Sequence, residues 1–183
     1  MRYDNPLVFL VETLFDLYII VLMLRFILQQ VRADFYNPIS QFIVKATTPV
    51  LKPVRSIIPG FGAIDLATII VIIAFIALKI FIIALLTGYS PSVPALLLTG
   101  IRDFISLALN IFIFAIIIQA ILSWVNPDPY NPVSGLLASI TYPILSPFRR
   151  LIKPMGGLDL SPLVALIALM FIQRLVVYLF NMI

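Results

Sequence analysis

The segment Asp34-Phe35-Tyr36-Asn37-Pro38-Ile39-Ser40 returns as Asp128-Pro129-Tyr130-Asn131-Pro132-Val133-Ser134, displaced by 94 residues (37 to 131). The same displacement carries, without a gap, Thr47 to Thr141, Pro49 to Pro143, Leu51 to Leu145, Pro53 to Pro147, Arg55 to Arg149, Gly62 to Gly156 and Asp65-Leu66 to Asp159-Leu160. Register held over that distance marks one structural unit written twice. Any fold proposed for the first half must therefore also suit the second.

Both halves read as membrane-embedded. Hydrophobic residues make up 62% of the chain, charged residues 11%, and the mean hydropathy is +1.16, a balance that a soluble core does not need. Four apolar stretches, near 7–28, 66–86, 101–124 and 163–183, reach the ~20 helical residues that cross ~30 Å of hydrocarbon. The repeat maps the first pair onto the second. The expected fold is all-α and integral to the membrane, with four transmembrane helices arranged as two tandem hairpins. Repeat 1 (1–94) holds the connecting segment 29–65, and repeat 2 (95–183) holds 125–159. An even number of spans per copy gives both the same orientation, related by a pseudo-twofold along the membrane normal.

Several function classes drop out. The first stretch is not read as a cleaved signal peptide, because Glu12 and Asp16 interrupt it, no small-residue cleavage pattern follows, and its counterpart lies mid-chain. Cysteine and histidine are absent, which removes thiol or imidazole catalysis, disulfides and histidine-ligated haem. With no Gly-rich phosphate loop either, the expectation is a non-enzyme with no cofactor and no metal site. The net charge of +4 points to anionic lipid and not to nucleic acid, since no aromatic-basic binding platform accompanies the cations.

The connecting segments hold the clearest motifs. Asn37-Pro38 and Asn131-Pro132 each read as a helix N-cap followed by proline at the first helical position. After them, Ile39, Phe42, Ile43 and Ala46, and Val133, Leu136, Leu137 and Ile140, fall at i, i+3, i+4 and i+7, predicting one greasy face per helix. Pro49 and Pro143 are expected to stop these helices. A second short helix is expected through Val54-Arg55 and Phe148-Arg149, ending at Pro59 or Pro154. Short amphipathic helices of this kind, with Lys45, Lys52, Arg55, Arg149, Arg150 and Lys153 nearby, suit the headgroup layer or a cover over the bundle end. Asp65 and Asp159 are placed to cap the second and fourth spans. Arg55 and Arg149 could pair with those aspartates or contact lipid phosphate, and Tyr36, Tyr130 and Trp124 suit interfacial anchoring.

Ionisable residues within the spans carry the most functional information, since a charge in hydrocarbon costs at least a few kcal/mol unless it is paired or hydrated. Glu12 and Asp16 stand four apart, on one helix face. At ~1.5 Å per residue, Glu12, Asp16, Lys79 and Arg174 lie at similar depths, so two acids can meet two bases. The repeat offers a comparison: Glu12 matches Ser106, Asp16 matches Asn110 and Lys79 matches Gln173. A polar contact between the helices of each hairpin follows, a carboxylate-ammonium pair in copy one and an amide-amide bond in copy two. Arg174, aligned with Ile80, is the unmatched cation and could reach across the twofold to the second carboxylate. Such contacts either hold the bundle or line a hydrated path for an ion or proton, the latter requiring an oligomer.

The two Asp-x-Tyr-Asn-Pro-x-Ser starts, the Pro-x-Leu-x-Pro-x-Arg runs at Pro49 to Arg55 and Pro143 to Arg149, and Gly-x-x-Asp-Leu at Gly62 and Gly156 together resemble the YggT family over nearly the whole chain, in its two-copy, proteobacterial form. The resemblance implies the inner membrane. It also implies links to osmotic stress and potassium homeostasis, proximity to cell-division genes, and, through chloroplast relatives, cytochrome b maturation or nucleoid organisation. It supplies no catalytic residue.

Basic residues set the expected topology. Arg32, Lys45, Lys52 and Arg55, with Arg149, Arg150 and Lys153, outnumber Arg2 and Arg102 on the opposite side, so the connecting segments are expected in the cytoplasm. Two readings stay open: a scaffold or assembly protein contacting membrane-protein partners or copies of itself, and an oligomeric potassium or proton conduit.

Overall fold

A computed structural model describes residues 5–58, 65–125, 131–152 and 159–182. Among them the chain is all-helical: α1 (Pro6–Gln30), α2 (Pro38–Ile57), α3 (Leu66–Thr87), α4 (Val93–Val125), α5 (Pro132–Leu151) and α6 (Ser161–Asn181). Four helices are long and apolar enough to cross a membrane: α1, α3, α4 through Ser123, and α6. At most 28% of any of these apolar segments is buried within the chain, so most of their greasy surface needs an apolar solvent.

Helix starts follow local chemistry. α1, α2 and α5 each open with Asn-Pro, and the asparagine Oδ1 accepts from the backbone N–H two residues on: Leu7 to Asn5 at 3.0 Å, Ile39 to Asn37 at 2.9 Å and Val133 to Asn131 at 2.9 Å. Proline at the first position forfeits only a donor that has no partner in the helix. α3 ends on Gly88, whose φ of +71° closes a left-handed cap with Tyr89 N–H donating to Ala84 O.

The apolar core belongs to two compact units. The first comprises Met1–Phe26 and Ile43–Leu107, the second Ile27–Phe42 and Ala108–Ile183. In the first, Leu22 and Met23 of α1, Leu51 of α2 and Ile72 and Ile76 of α3 are fully buried. Phe75 of α3 lies 6.1 Å from Phe15 and 5.3 Å from Tyr18, both on α1. Gly100 brings α4 against α3, where an added Cβ would meet Ile73 at 3.2 Å. In the second unit, Ile113 and Ile116 of α4, Leu145 of α5 and Ala165 and Leu169 of α6 form one cluster.

Three expectations need correction. Pro49 and Pro143 do not stop their helices: α2 and α5 are single 20-residue helices, with Pro49 and Pro53, and Pro143 and Pro147, inside them. Four-residue spacing puts both rings of each helix on the exposed side, where water or headgroups can supply the hydrogen bonds that the missing N–H groups withhold. α4 begins at Val93, eight residues before the expected Ile101, because Ser92 and Pro94 start it. Finally, the buried stripe of α2 is Ser40, Ile43, Thr47 and Leu51, while Phe42 is 67% exposed. Lys45, Thr48 and Lys52 share Phe42's exposed side.

Leu51→Ala is therefore expected to cost about 2–5 kcal/mol as a core truncation. Phe42→Ala should stay within about 0.5 kcal/mol of wild type. Thermal melting in detergent reads both, and equal losses would restore Phe42 to the core.

Candidate functional site: two layers of polar contacts

The first layer lies within the spans. Lys79 Nζ on α3 donates to Asp16 Oδ1 on α1 at 2.7 Å. Gln173 Nε2 on α6 donates to Asn110 Oδ1 on α4 at 2.8 Å. Each bond joins residues 63 apart, and the two bonds differ by the repeat displacement of 94. Charge has been exchanged for an amide at both ends at once, so neither contact leaves an unpaired ion in hydrocarbon. The pair is asymmetric in exposure: the Lys79 side chain is 17% exposed and that of Asp16 is 53%.

The expected meeting of two acids with two bases is only half present. Glu12 is half-buried one turn before Asp16, Arg174 is exposed on α6, and neither is in an ion pair among the described residues. Arg174 follows Gln173 directly, and neighbours in sequence lie on different sides of a helix, which turns it away from the polar contact that Gln173 makes.

The second layer joins α2 to the start of α3, and α5 to the start of α6. Arg55 Nη2 donates to Asp65 Oδ2, and also reaches Thr68 Oγ1 at 3.4 Å. Asp65 meanwhile caps α3, accepting from Thr68 N–H at 3.2 Å and Thr68 Oγ1 at 2.6 Å. In the second copy Arg149 Nε donates to Asp159 Oδ2 at 2.9 Å, and Asp159 Oδ1 accepts from Ser161 N–H at 2.9 Å. Arg55 and Arg149 thus take the internal of the two partners open to them. Burial pushes the Asp65 carboxyl up, but the Thr68 hydroxyl, Arg55 and the Thr68 N–H outweigh it and hold the group below the usual carboxylate range. Asp159 is held down in the same sense, burial being outweighed by Ser161 and Arg149.

The remaining motif residues of the first copy serve the turn before α2. Asp34 Oδ1 accepts from Tyr36 N–H at 2.9 Å, and Tyr36 itself is 83% exposed. Besides its cap, Asn37 donates through Nδ2 to Pro132 O at 2.7 Å, tying the first repeat's motif to the second's. Asp128 and Tyr130 lie outside the described residues, as do Arg2, Pro59, Gly62, Lys153, Pro154 and Gly156.

One contact and one buried donor escaped the motif comparison. Thr141 Oγ1 donates to Gln119 Oε1, joining α5 to α4. Gln119 lies 94 residues after Arg25, and Arg25 is a half-buried cation inside α1 whose Nε is buried without an acceptor. A lone basic residue within an apolar stretch was the available signal for it. Among the described residues no three metal-ligating side chains gather.

Comparison with known proteins agrees with the repeated motifs. The CCB3/YggT family model matches residues 5–86 and again 98–180. The chain belongs to this family. An uncharacterized protein of Pseudomonas aeruginosa is 49% identical over 176 residues, covering 95% of this chain and 89% of its own length. One from Vibrio alginolyticus is 46% identical over 170 residues, covering 91% of each chain. Uncharacterized protein YggT of Escherichia coli K12 is 34% identical over 169 residues, 92% of this chain and 88% of its own. No solved structure matches the chain.

Two measurements test the layers. Lys79→Ala should destabilise the wild type more than the Asp16→Asn background, with a coupling of about 0.6–1.7 kcal/mol for a contact inside the membrane. Equal losses would remove the pair. Because Asp65 and Asp159 have depressed folded-state values, their contribution is complete above the unfolded aspartate value of about 3.9 and fades as pH falls through the lower folded values. Melting temperature should therefore drop on acidification below about pH 4, and Asp65→Asn should flatten that drop while lowering stability at neutral pH. An acid limb identical in the variant would show that Asp65 does not carry it.

Proposed function

We propose that the chain is a scaffold or assembly protein of the bacterial inner membrane, built as two tandem helical hairpins with α2 and α5 on the cytoplasmic side. It catalyses no reaction and supports tolerance of osmotic or envelope stress by positioning membrane-protein partners, or copies of itself, beside anionic lipid.

The supporting observation is the outward face of the connecting helices and the turn before α2. Tyr36 is 83% exposed, Phe42 67% and Tyr142 63%, beside exposed Lys45, Lys52, Arg149 and Arg150. Aromatic anchors among cations suit docking at a headgroup layer or on another membrane protein. The polar side chains of the spans, by contrast, are largely spent on one another, as Asp16 with Lys79 and Asn110 with Gln173.

A second reading, an oligomeric potassium or proton conduit, draws on a different observation. Asp16 keeps half its side chain exposed, with Glu12 one turn away on the same helix face. A neighbouring copy could enclose that face as a hydrated path.

Two experiments separate them. In cells, Tyr36→Ala with Phe42→Ala is expected to release crosslinked partners while membrane level and melting temperature hold; an unchanged crosslinking pattern overturns the scaffold reading. In liposomes, the folded protein is expected to pass potassium and protons no faster than empty vesicles. Flux that falls in Asp16→Asn would transfer the conclusion to the conduit.

A further inference from the structure

Charge inside the spans does not close within one copy. The charged side chains of the four spanning helices are Glu12, Asp16 and Arg25 of α1, Lys79 of α3, Arg102 and Asp103 of α4, and Arg174 of α6. Asp16 takes Lys79, and Arg102 takes Asp103 at 2.9 Å. Arg25 sits near the far end of α1, five residues before Gln30. Toward the two ends of the chain this leaves Glu12 in the first unit and Arg174 in the second, each without an ion pair among the described residues. Lipid tails offer neither a counter-ion, and a lone charge among them is expensive.

The two ions stand at one height and on open helix faces. Glu12 lies about 9 Å and Asp16 about 15 Å along α1 from Pro6, while Arg174 lies about 10–11 Å back along α6 from Asn181. Four spans return the chain to the side on which it began, so these heights are measured from the same membrane surface. On α6 the stripe Ile167, Phe171, Arg174 and Tyr178 is exposed throughout; on α1, Phe9, Asp16 and Ile20 are exposed with Glu12 half-buried among them. Asp16 spends Oδ1 on Lys79, so the α1 face, with two carboxylates and one ammonium, keeps a net charge of −1 against the +1 of Arg174. Only 11% of the apolar segment of α6 is buried within the chain, the smallest share among the four, which leaves α6 the most surface for a partner.

We propose that α6 of one copy packs on α1 of a second copy, with Arg174 seated between Glu12 and the open side of Asp16. A guanidinium fork presents donors to two carboxylates one helical turn apart, and the opposite charges of the two faces cancel. The helices run in opposite directions, which brings Tyr178 to the height of Phe9, about 4–5 Å from the helix ends, and Ile167 to that of Ile20, about 21 Å from them. The occupant is a second copy because every copy exposes both halves of the contact. This deepens the scaffold reading, and rests on it for copies of the chain to be held side by side.

The test uses the full chain in phosphatidylcholine liposomes and exploits its lack of native cysteine. One tagged chain carries Ile20→Cys, a differently tagged chain carries Ile167→Cys, and oxidation reads the disulfide formed between the two tags. A clear band is expected. Glu12→Lys in the first chain alone, or Arg174→Glu in the second alone, is expected to weaken it by about threefold or more, the effect of one polar contact between helices in lipid. Both reversals together are expected to restore it. Each chain then holds a single reversal, so no pair within one chain accounts for the recovery. The proposal is overturned by the absence of a band, which leaves Arg174 to the lipid headgroups, by a band that ignores the reversals, or by a loss that their combination does not repair. Should a reversal prevent folding, Arg174→Gln and Arg174→Lys in the second chain replace it; the first is expected to weaken the band and the second to keep it, and equal bands overturn the proposal. None of these variants alters Tyr36 or Phe42, so failure of this contact is read separately from failure of the scaffold reading.

Discussion

In a bilayer, every charge and every hydrogen-bonding group of a spanning segment must find its partner inside the protein, because lipid supplies none. The structure is arranged around that constraint. Helical spans satisfy their own backbones, so what remains are side chains, and several of these meet in pairs. Asp16 takes Lys79 and Asn110 takes Gln173 within the spans, while Arg55 takes Asp65 and Arg149 takes Asp159 where the connecting helices hand over to α3 and α6. Apolar association between helices contributes little direction in lipid, since the tails are as greasy as leucine. Polar pairs at defined heights supply what greasy surface lacks, a register between neighbouring helices.

The two copies treat these pairs differently in a way that follows from cost. At the span ends, where water and headgroups soften a charge, both copies keep an arginine and an aspartate. Deeper, one copy keeps ions and the other substitutes amides on both partners. Replacing one partner alone would strand a charge, whereas replacing both preserves the hydrogen bond and removes the desolvation of two ions. Arg25 is the exception to paired exchange. Its counterpart Gln119 accepts from Thr141 Oγ1, whereas no such bond joins Arg25 to Thr47, the residue matching Thr141; both threonines also donate back to their own helix, Thr47 to Ile43 O and Thr141 to Leu137 O.

Much of this was legible in the sequence, for a physical reason: a repeat converts one chain into two comparable solutions. Hydropathy located the four long apolar helices, and the 94-residue displacement picked out Asp16 with Lys79 and Asn110 with Gln173, which no single-copy pattern would join. Asn37, Asn131 and Asp65 act locally, so capping rules reach them. What escaped reading depends on which side of a helix faces the core. Pro49 looks like a helix stop, yet it sits on the exposed side and the helix continues. Phe42 fits the greasy spacing, yet Ser40, Ile43, Thr47 and Leu51 make the buried stripe, because burial of a connecting helix is set by the span it packs on and not by hydrophobicity alone. Arg174 looked like a partner in waiting, but its place directly after Gln173 turns it elsewhere.

The same logic explains why the outward surfaces differ in meaning between the spans and the connecting helices α2 and α5. An exposed leucine on α6 needs only lipid, and its exposure carries no information about partners. Phe42 and Tyr142 stand beside lysines or arginines on amphipathic helices, and that mixture is stable only where an apolar medium and a polar one meet. A headgroup layer provides such a boundary along one plane, and so does the rim of another membrane protein. Pro49, Pro53, Pro143 and Pro147 lie on that outward side, and each withholds the N–H that the carbonyl four residues earlier would accept, so those carbonyls are left for donors outside the helix ladder. The outward side of α2 and α5 therefore suits surroundings that offer donors as well as apolar surface, which bare hydrocarbon does not.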